Sequence, residues 1–262
     1  MATIFMYHAV GNEQQIQDSD PYYAVSERQF CEHISIIKSS VALAKQLLAT
    51  KDVTTESIVT DSNKVTESCI TFDDGHLSNY LVAFPLLKNK NLTAEFYVNT
   101  SMVGKDNFMT WEQLKEMNNE GMSIQSHGHT HGYFSDMNEE EITHELKISK
   151  SMIESNLGNQ VVVFAPPGGR TDKRVSRIAK SLGYLCVANS RPGLIPFFKS
   201  FEIPRFAILK HTNKEKIIDW QSRWSIATIK EVIRYYIFRI AKYVLGNQRY
   251  DKIRLKLLGA SD

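Results

Sequence analysis

His127, His129 and His131 place three of the chain's eight histidines within five residues. They follow the short apolar run 122–125, so we expect them where a strand passes into a loop. Neutral imidazole is a common ligand for zinc and related metals, and two rings from one short segment can bind one ion. The spacing therefore predicts a metal site with two histidine ligands, whose third ligand comes from elsewhere in the chain.

Two adjacent carboxylates, Asp73 and Asp74, follow the strand-like residues 68–72 and precede Gly75. Neighbouring carboxylates repel each other unless a cation or a proton separates their roles, so one can ligate a metal while the other stays free as a base. We predict that division here, with Gly75 supplying the turn that leads the chain away. Taken separately, the two motifs are a polar histidine loop and a solvated turn, and only together do they favour a metal centre.

A third segment, FAPPGG at residues 164–169, completes a pattern that resembles the polysaccharide deacetylases of the NodB-homology type, carbohydrate esterase family 4. Three flanking features are similar to the exopolysaccharide branch of that family. They are MYH at residues 6–8, Trp111, and IPRF at residues 203–206. The resemblance covers residues 2–212, so we expect a deacetylase barrel over residues 1–212 and a separate extension over residues 213–262.

The resemblance implies that Asp74, His127 and His131 hold a divalent metal and that Asp73 is the catalytic base. Two imidazoles and one carboxylate suit zinc, while cobalt, nickel and iron accept similar ligand sets. A bound divalent ion lowers the pKa of a water molecule and polarises an acetyl carbonyl, and three protein ligands leave positions open for both. The implied activity is the hydrolytic removal of acetyl groups from N-acetylated sugars.

The resemblance also assigns roles around the reacting group. The backbone NH of Gly168 is expected to hold the oxyanion, and His211 is expected to protonate the departing amine. Pro167, His76 and Trp111 are expected to contact the substrate. For each histidine the alternative is a solvent-exposed position without a chemical role.

Two other histidines have less specific interpretations. His129 lies between the two ligand histidines, and we expect its ring to point away from the ion and to line the rim. His8 lies at the end of the first predicted strand, where with Tyr7 it is expected to close the mouth of the barrel.

Two departures from the family pattern affect the expected chemistry. The third motif usually carries an arginine that orients the base, and this chain has Ala165 there. Arg170 and Arg205 are the candidate replacements, and we favour Arg205 because a strand end would fix it. A base misplaced by about 1 Å can lose on the order of a hundredfold in rate. Because Gly168 also replaces an aromatic residue, a non-catalytic carbohydrate-binding protein on the same fold is the alternative function, and hydrolysis of a non-sugar amide is a third.

The pattern of apolar runs predicts an α/β fold. With 262 residues and 42% hydrophobic content, the chain can form one large domain. Strand-like runs alternate with amphipathic helical segments, which favours a parallel sheet with crossover helices, closed into a distorted barrel. The strands are expected at 4–7, 68–72, 94–98, 122–126, 161–165 and 184–188, and the helices at 78–90, 110–120, 139–157 and 171–182.

The C-terminal segment is basic and amphipathic. Residues 229–258 contain eight Lys or Arg against Glu231 and Asp251, a local charge of +6 in a chain whose net charge is +2. Such a helix can lie on an anionic membrane surface, and the alternative is a helix packed on the barrel with a solvated basic face. No nucleic-acid reader motif accompanies the charge.

The expected cellular location rests on two sequence features, the N-terminal residues and the length of the apolar runs. The N-terminal residues do not resemble a signal peptide, and no apolar run reaches the length of a membrane span. We therefore expect a cytoplasmic protein, peripheral at the inner face of the membrane. Its substrate would be an N-acetylated sugar or a lipid-linked glycan in surface polysaccharide or glycolipid synthesis.

Overall fold

The strands form one sheet that curls into a distorted barrel. The computed structural model describes residues 3–37, 40, 42–49, 68–193, 201–222 and 225–257. The strands are β1 (Thr3–Tyr7), β2 (Ser68–Phe72), β3 (Ala94–Val98), β4 (Ser123–Ser126), β5 (Val163–Phe164), β6 (Cys186–Ala188), β7 (Glu202–Ile203) and β8 (Phe206–Ala207). Their order is β7-β6-β5-β4-β3-β2-β1-β8, and each pairing between these neighbours is parallel.

A short segment closes the barrel. β7 lies at one end of the strand order and β8 at the other, yet only Pro204 and Arg205 separate them in sequence. Three consecutive Cα–Cα steps span at most about 11 Å. The two ends of the sheet must therefore lie close together, which confirms the predicted α/β barrel and places Arg205 at its seam.

Crossover helices cover the sheet. They are α1 (Glu27–Ile36), α2 (Leu43–Ala49), α3 (Phe84–Asn89), α4 (Trp111–Asn119), α5 (Glu139–Leu157), α6 (Lys173–Ser181) and α7 (Lys214–Gln221). The helix predicted at 78–90 is a π-helical turn, Asn79–Ala83, followed by α3. Pro85 lies at the junction and lacks the NH that a continuous α-helix would use there, which accounts for the break.

The barrel core is apolar and aromatic. All residues of β1, β2 and β3 are buried, as expected for parallel strands covered on both faces. Phe72 stacks on Phe96 with ring centroids 4.8 Å apart and on Tyr7 at 5.4 Å. This packing fixes the ends of β1 and β2, from which site residues project.

The C-terminal segment begins with a helix that packs on the barrel. Trp220 of α7 is buried and stacks on Phe206 at 4.9 Å. The domain boundary after residue 212 stays a prediction. Beyond α7 lie α8 (Ile226–Leu245) and α9 (Asn247–Leu257). Among the described residues, no helix is long and apolar enough to cross a membrane.

Candidate active site

The carboxyl ends of the strands meet at one end of the barrel and carry the site. Asp73 and Asp74 directly follow β2, and His127 directly follows β4. Ladder hydrogen bonds continue past the strands. The Asp73 NH donates to the Tyr7 carbonyl at 2.9 Å, and the His127 NH donates to the Val98 carbonyl at 3.0 Å. The sheet therefore fixes the backbone of these residues.

Asp74, His127 and His131 form a cluster that could hold a metal ion. Their ligand atoms lie within 4.8 Å of one another. Asp74 Oδ1 is 3.3 Å from His127 Nε2 and 3.1 Å from His131 Nε2. Two imidazole nitrogens and one carboxylate oxygen are a donor set that suits zinc and similar divalent ions.

The proton on His127 indicates that the cluster fits a cation. His127 Nδ1 is 2.7 Å from the Ala165 carbonyl oxygen, which can only accept, so Nδ1 carries the proton. In the neutral ring Nε2 is then an acceptor, and it faces the acceptor oxygen of Asp74. Such an arrangement is unfavourable without a positive charge between the atoms, and a carbonyl partner on the distal nitrogen is typical of a metal-binding histidine.

Two residues of the cluster have strained backbone conformations. Asp74 has φ 74° and His131 has φ 64°, both in the left-handed region that non-glycine residues rarely adopt. Gly75 follows with φ 78°, and a Cβ there would lie 3.1 Å from Val98 Cγ1. The chain therefore turns sharply at both ligand loops, which brings the Asp74 and His131 side chains together.

Glu145 of α5 shapes the histidine loop, and the sequence analysis did not identify it. The carboxylate of this buried residue accepts hydrogen bonds from the NH of His129 at 2.7 Å and the NH of Thr130 at 2.9 Å. It also accepts from the Thr130 hydroxyl at 2.7 Å. A charged residue at an inward position of an amphipathic helix was the available signal.

Asp73 is clamped by Arg205. Arg205 Nη1 donates to Asp73 Oδ1 at 2.6 Å and Nη2 donates to Oδ2 at 2.8 Å, a bidentate pair with both residues buried. Burial alone would raise the pKa of Asp73, but the charge and hydrogen bonds of Arg205 outweigh burial and lower the pKa below the ordinary carboxyl value. Asp73 is therefore ionised at neutral pH and held in a fixed orientation.

The other candidate arginine has different partners. Arg170 donates to Asp251 of α9 at 2.5 Å and lies over the Tyr133 ring, 3.9 Å from its centroid. Arg205, at the β7–β8 seam, therefore supplies Asp73 with the guanidinium that the family pattern places at residue 165. This placement agrees with the preference for Arg205 that a strand end suggested.

A cavity of about 1050 Å³ opens above the cluster. The loops after the strands form its floor, and α8 and α9 form part of its wall. Polar and aromatic side chains dominate the lining, which suits a sugar. Residues from the barrel that line it include His8, Tyr22, Tyr23, Asp73, Asp74, His127, His131, Tyr133, Gly168, Gly169, Arg170 and Ser190.

His8 lies at the mouth, as predicted, but it also reaches the cavity. The half-buried side chain packs against Tyr23, with ring centroids 4.5 Å apart, and its Nδ1 has no hydrogen-bond partner within the described part of the chain. Burial lowers the pKa of His8, while the charges of Asp74 and Asp73 oppose that shift. His8 is therefore an imidazole beside both carboxylates.

Comparison with known proteins matches this geometry to one family. The family model for polysaccharide deacetylases matches residues 61–187. YxkH of Bacillus subtilis, whose name places it among the polysaccharide deacetylases, is 27% identical over 192 residues. That alignment covers 72% of this chain and 64% of YxkH. Over residues 61–187 this chain matches the polysaccharide deacetylase family.

Two further proteins are similar to this chain, one in sequence and one in fold. A peptidoglycan-N-acetylglucosamine deacetylase of Bacillus cereus is 30% identical over 146 residues, covering 55% of this chain and 64% of the relative. The chain therefore spans 64% of the length of each curated relative. The deacetylase PplD of Streptococcus pyogenes, solved with acetate, has the same fold, with a TM-score of 0.72, 23% identity, and coverage of 84% of this chain and 98% of PplD.

Several residues that the polysaccharide deacetylase pattern suggested lie outside the cavity lining. His76 is buried, and its ring nitrogens contact Ser78 Oγ at 2.9 Å and the Gln17 carbonyl at 2.6 Å. Trp111 begins α4 and packs against the core. Pro167 is buried behind Gly168.

His211 also differs from its predicted position. Its side chain is exposed and is not among the residues that line the cavity. The neighbouring Thr212 accounts for this, because its NH donates to the Leu209 carbonyl and its hydroxyl accepts from the Leu209 NH. This tight turn leaves His211 at the surface.

We predict that His127→Ala weakens binding of zinc on the order of a hundredfold or more, because it removes one of three ligands. Metal content after dialysis at a fixed free zinc concentration measures the effect. His129→Ala is the matched control. Its ring bonds Thr100 Oγ1 through Nδ1 at 2.8 Å and is not part of the cluster, so zinc binding should be unchanged. Equal zinc content in the wild type and His127→Ala would contradict the assignment of His127 as a ligand.

Proposed function

We propose that this chain is a metal-dependent deacetylase that hydrolyses the acetamido group of an N-acetylated sugar. One observation carries the proposal. Asp73, a carboxylate held by Arg205, lies beside a separate three-residue ligand cluster at the same end of the barrel. A protein that only bound sugar would have no use for an oriented base next to a metal site.

The residues divide the reaction between them. A divalent ion held by Asp74, His127 and His131 would polarise the acetyl carbonyl and lower the pKa of the attacking water. Asp73 would accept the proton of that water, and its bidentate pair with Arg205 would keep it from rotating during attack. The pKa of Asp73, lowered by Arg205, keeps this base ionised.

Gly168 would stabilise the negative oxygen through its backbone NH. It lines the cavity and has φ 61°, and a Cβ at this position would lie 3.2 Å from Tyr133 Cε1. A donor fixed in a tight turn needs no reorganisation as charge develops, which is the condition for an effective oxyanion site. The missing aromatic side chain leaves room for Tyr133 at this edge.

His8 replaces His211 as the proposed general acid. An acid must protonate the departing amine, and half-buried His8 lines the cavity near Asp73 and Asp74, whereas His211 does not line it. His8 would take the proton that Asp73 accepted from the attacking water and pass it to the leaving nitrogen, which restores both groups.

The two histidines give a discriminating prediction. His8→Gln is expected to lower kcat for acetate release on the order of 10² to 10⁴-fold, the usual contribution of a general acid. His211→Gln is the matched control and should retain wild-type kcat. Steady-state rates of both variants at equal metal content measure this. Loss of activity in His211→Gln with normal activity in His8→Gln would contradict this proposal and support His211 as the general acid.

Zinc is the metal we propose, and the substrate class is an N-acetylated sugar of a surface polysaccharide or a lipid-linked glycan. The ligand set and the cavity of about 1050 Å³, which can hold more than one sugar unit, support this. The names of the relatives, a polysaccharide deacetylase and a peptidoglycan-N-acetylglucosamine deacetylase, point the same way. Action at the inner face of the membrane stays a prediction.

The test is acetate release from a panel of N-acetylglucosamine, its oligomers, and nucleotide- and lipid-linked forms. We expect acetate and free amine to appear in equal amounts from at least one of them. Sugar binding at full metal occupancy, with no acetate from any member, would favour the non-catalytic carbohydrate-binding alternative.

A further inference from the structure

Helix α8 presents an apolar face to solvent. Six large residues at spacings of three or four form this face, which we call the α8 stripe. Exposure within the stripe reaches 73% at Ile226 and Val244, where a helix packed on the barrel would bury its apolar residues. The stripe consists of Ile226, Ile229, Ile233, Tyr236, Ile240 and Val244.

The polar face of α8 points towards the protein. Glu231 is buried and pairs with Lys216 Nζ at 3.1 Å and with Arg234 Nη2 at 2.5 Å. Asp251 of α9 likewise accepts from Arg170 at 2.5 Å and from the Tyr133 hydroxyl at 3.0 Å. These are the two acidic residues of α8 and α9, so both are paired on the barrel side.

The exposed charges next to the stripe are basic. At 3.6 residues per turn, Lys230 lies about 40° beyond one edge of the stripe and Arg239 about 60° beyond the other. Both are exposed, as are Arg249 and Lys252 of α9. The side chains of Arg254 and Lys256 lie outside the described residues. An apolar stripe between two basic margins matches the surface of an anionic bilayer, whose headgroups are negative above an apolar interior.

We propose that the α8 stripe docks on an anionic lipid bilayer. The stripe would enter the boundary between headgroups and acyl chains, while Lys230, Arg239 and the basic residues of α9 contact lipid phosphates. A second copy of this chain is the competing occupant. Two stripes packed together would place like charges at both margins, whereas anionic lipid neutralises them.

The same helix connects the bilayer to the site. Glu231, Arg234 and Tyr235 of α8 line the cavity from the face opposite the stripe, and Arg239 at the margin of the stripe lines it too. Two hydrogen bonds hold α9 to the loops of the barrel. Arg170 donates to Asp251, and Asn247 Nδ2 donates to Ser135 Oγ at 3.0 Å. A docked α8 would therefore hold the cavity against the headgroup layer. This inference rests on the proposed function and narrows its substrate to a sugar carried on a membrane lipid.

Vesicle cosedimentation of the full chain tests the docking. We expect binding to vesicles of phosphatidylcholine mixed with phosphatidylglycerol, weaker binding to phosphatidylcholine alone, and loss of binding as salt is raised. Ile233→Ser with Ile240→Ser should weaken binding about tenfold or more. Lys230→Gln with Lys252→Gln should weaken it about fivefold per charge. Leu81→Ser, which alters an exposed apolar residue outside the stripe, is the matched control and should bind as the wild type does.

Two results would overturn the docking proposal. The first is undiminished vesicle binding by Ile233→Ser with Ile240→Ser. The second is a dimer, detected by sedimentation velocity, that the same variant dissociates while vesicles bind neither protein. Acetate release from a soluble N-acetylated oligomer separates this proposal from the proposed function. Release without vesicle binding would refute docking alone, and vesicle binding without release from any substrate would refute the deacetylase alone.

Discussion

Asp73→Asn is expected to lower acetate release on the order of 10² to 10⁴-fold, because the amide cannot accept the proton of the attacking water. Metal binding should persist, since the ligand cluster contains Asp74 and not Asp73. The substitution keeps the size of the side chain, so sugar binding should also persist. A large fall in kcat with little change in metal content is therefore the signature of a base.

The control for this prediction is Asp106→Asn, which removes an exposed carboxylate that does not line the cavity. Its acetate release should equal that of the wild type. Metal content by elemental analysis and sugar binding by calorimetry complete the comparison. Normal turnover in Asp73→Asn would contradict the base assignment, and loss of metal would mean that Asp73 contributes to the metal site.

Arg205→Met is expected to lower the free energy of unfolding by about 3–5 kcal/mol, the usual cost of leaving one partner of a buried pair uncompensated. Arg205 also donates to the Asn189 carbonyl at 3.2 Å, and that acceptor would lose this bond. Urea unfolding at neutral pH measures the change. Arg28→Met is the matched control, because its pair with Glu32 is exposed and should contribute less than about 1 kcal/mol.

The same variant should change the pH dependence of both stability and activity. Asp73 has a lowered pKa in the folded chain, so its pair contributes stability above the unfolded carboxyl pKa, which is lost as pH falls through the folded pKa. Without Arg205, burial loses its main opposition, so the pKa of Asp73 rises. We expect the acidic limb of kcat/KM to move to higher pH, and an unmoved limb would contradict Asp73 as the titrating base. Arg205→Lys retains a positive charge, so its acidic limb should move less than that of Arg205→Met. This variant keeps the test available if Arg205→Met folds poorly.

The strand pattern allowed much of the fold to be predicted. The largely apolar runs at 68–72 and 94–98 coincide with β2 and β3, because a strand buried on both faces is rich in apolar residues. The position of Asp74 and His127 just after such runs was enough to place them at one end of a parallel barrel. β7 and β8 have two residues each and are separated only by Pro204 and Arg205, and neither was predicted.

The partners of the site side chains could not be predicted, because they are set by the order of strands in the barrel and not by neighbouring residues in the sequence. Arg205 meets Asp73 because the β7–β8 segment crosses the barrel seam, and 132 residues separate the two in sequence. His8 and His211 look alike as isolated histidines, and only the end of β1 and the turn at Thr212 distinguish them. For α8, the spacing predicted an amphipathic helix, but only the contacts of Glu231 show which face turns to solvent.

The most direct test of a metal-dependent deacetylase is acetate release by the chain stripped of metal and then titrated with zinc. The proposed mechanism predicts no release from the stripped protein and full recovery at one zinc per chain, with no recovery in His127→Ala at the same zinc concentration. Equal acetate release before and after removal of the metal would contradict it, because the cluster of Asp74, His127 and His131 would then have no part in the reaction.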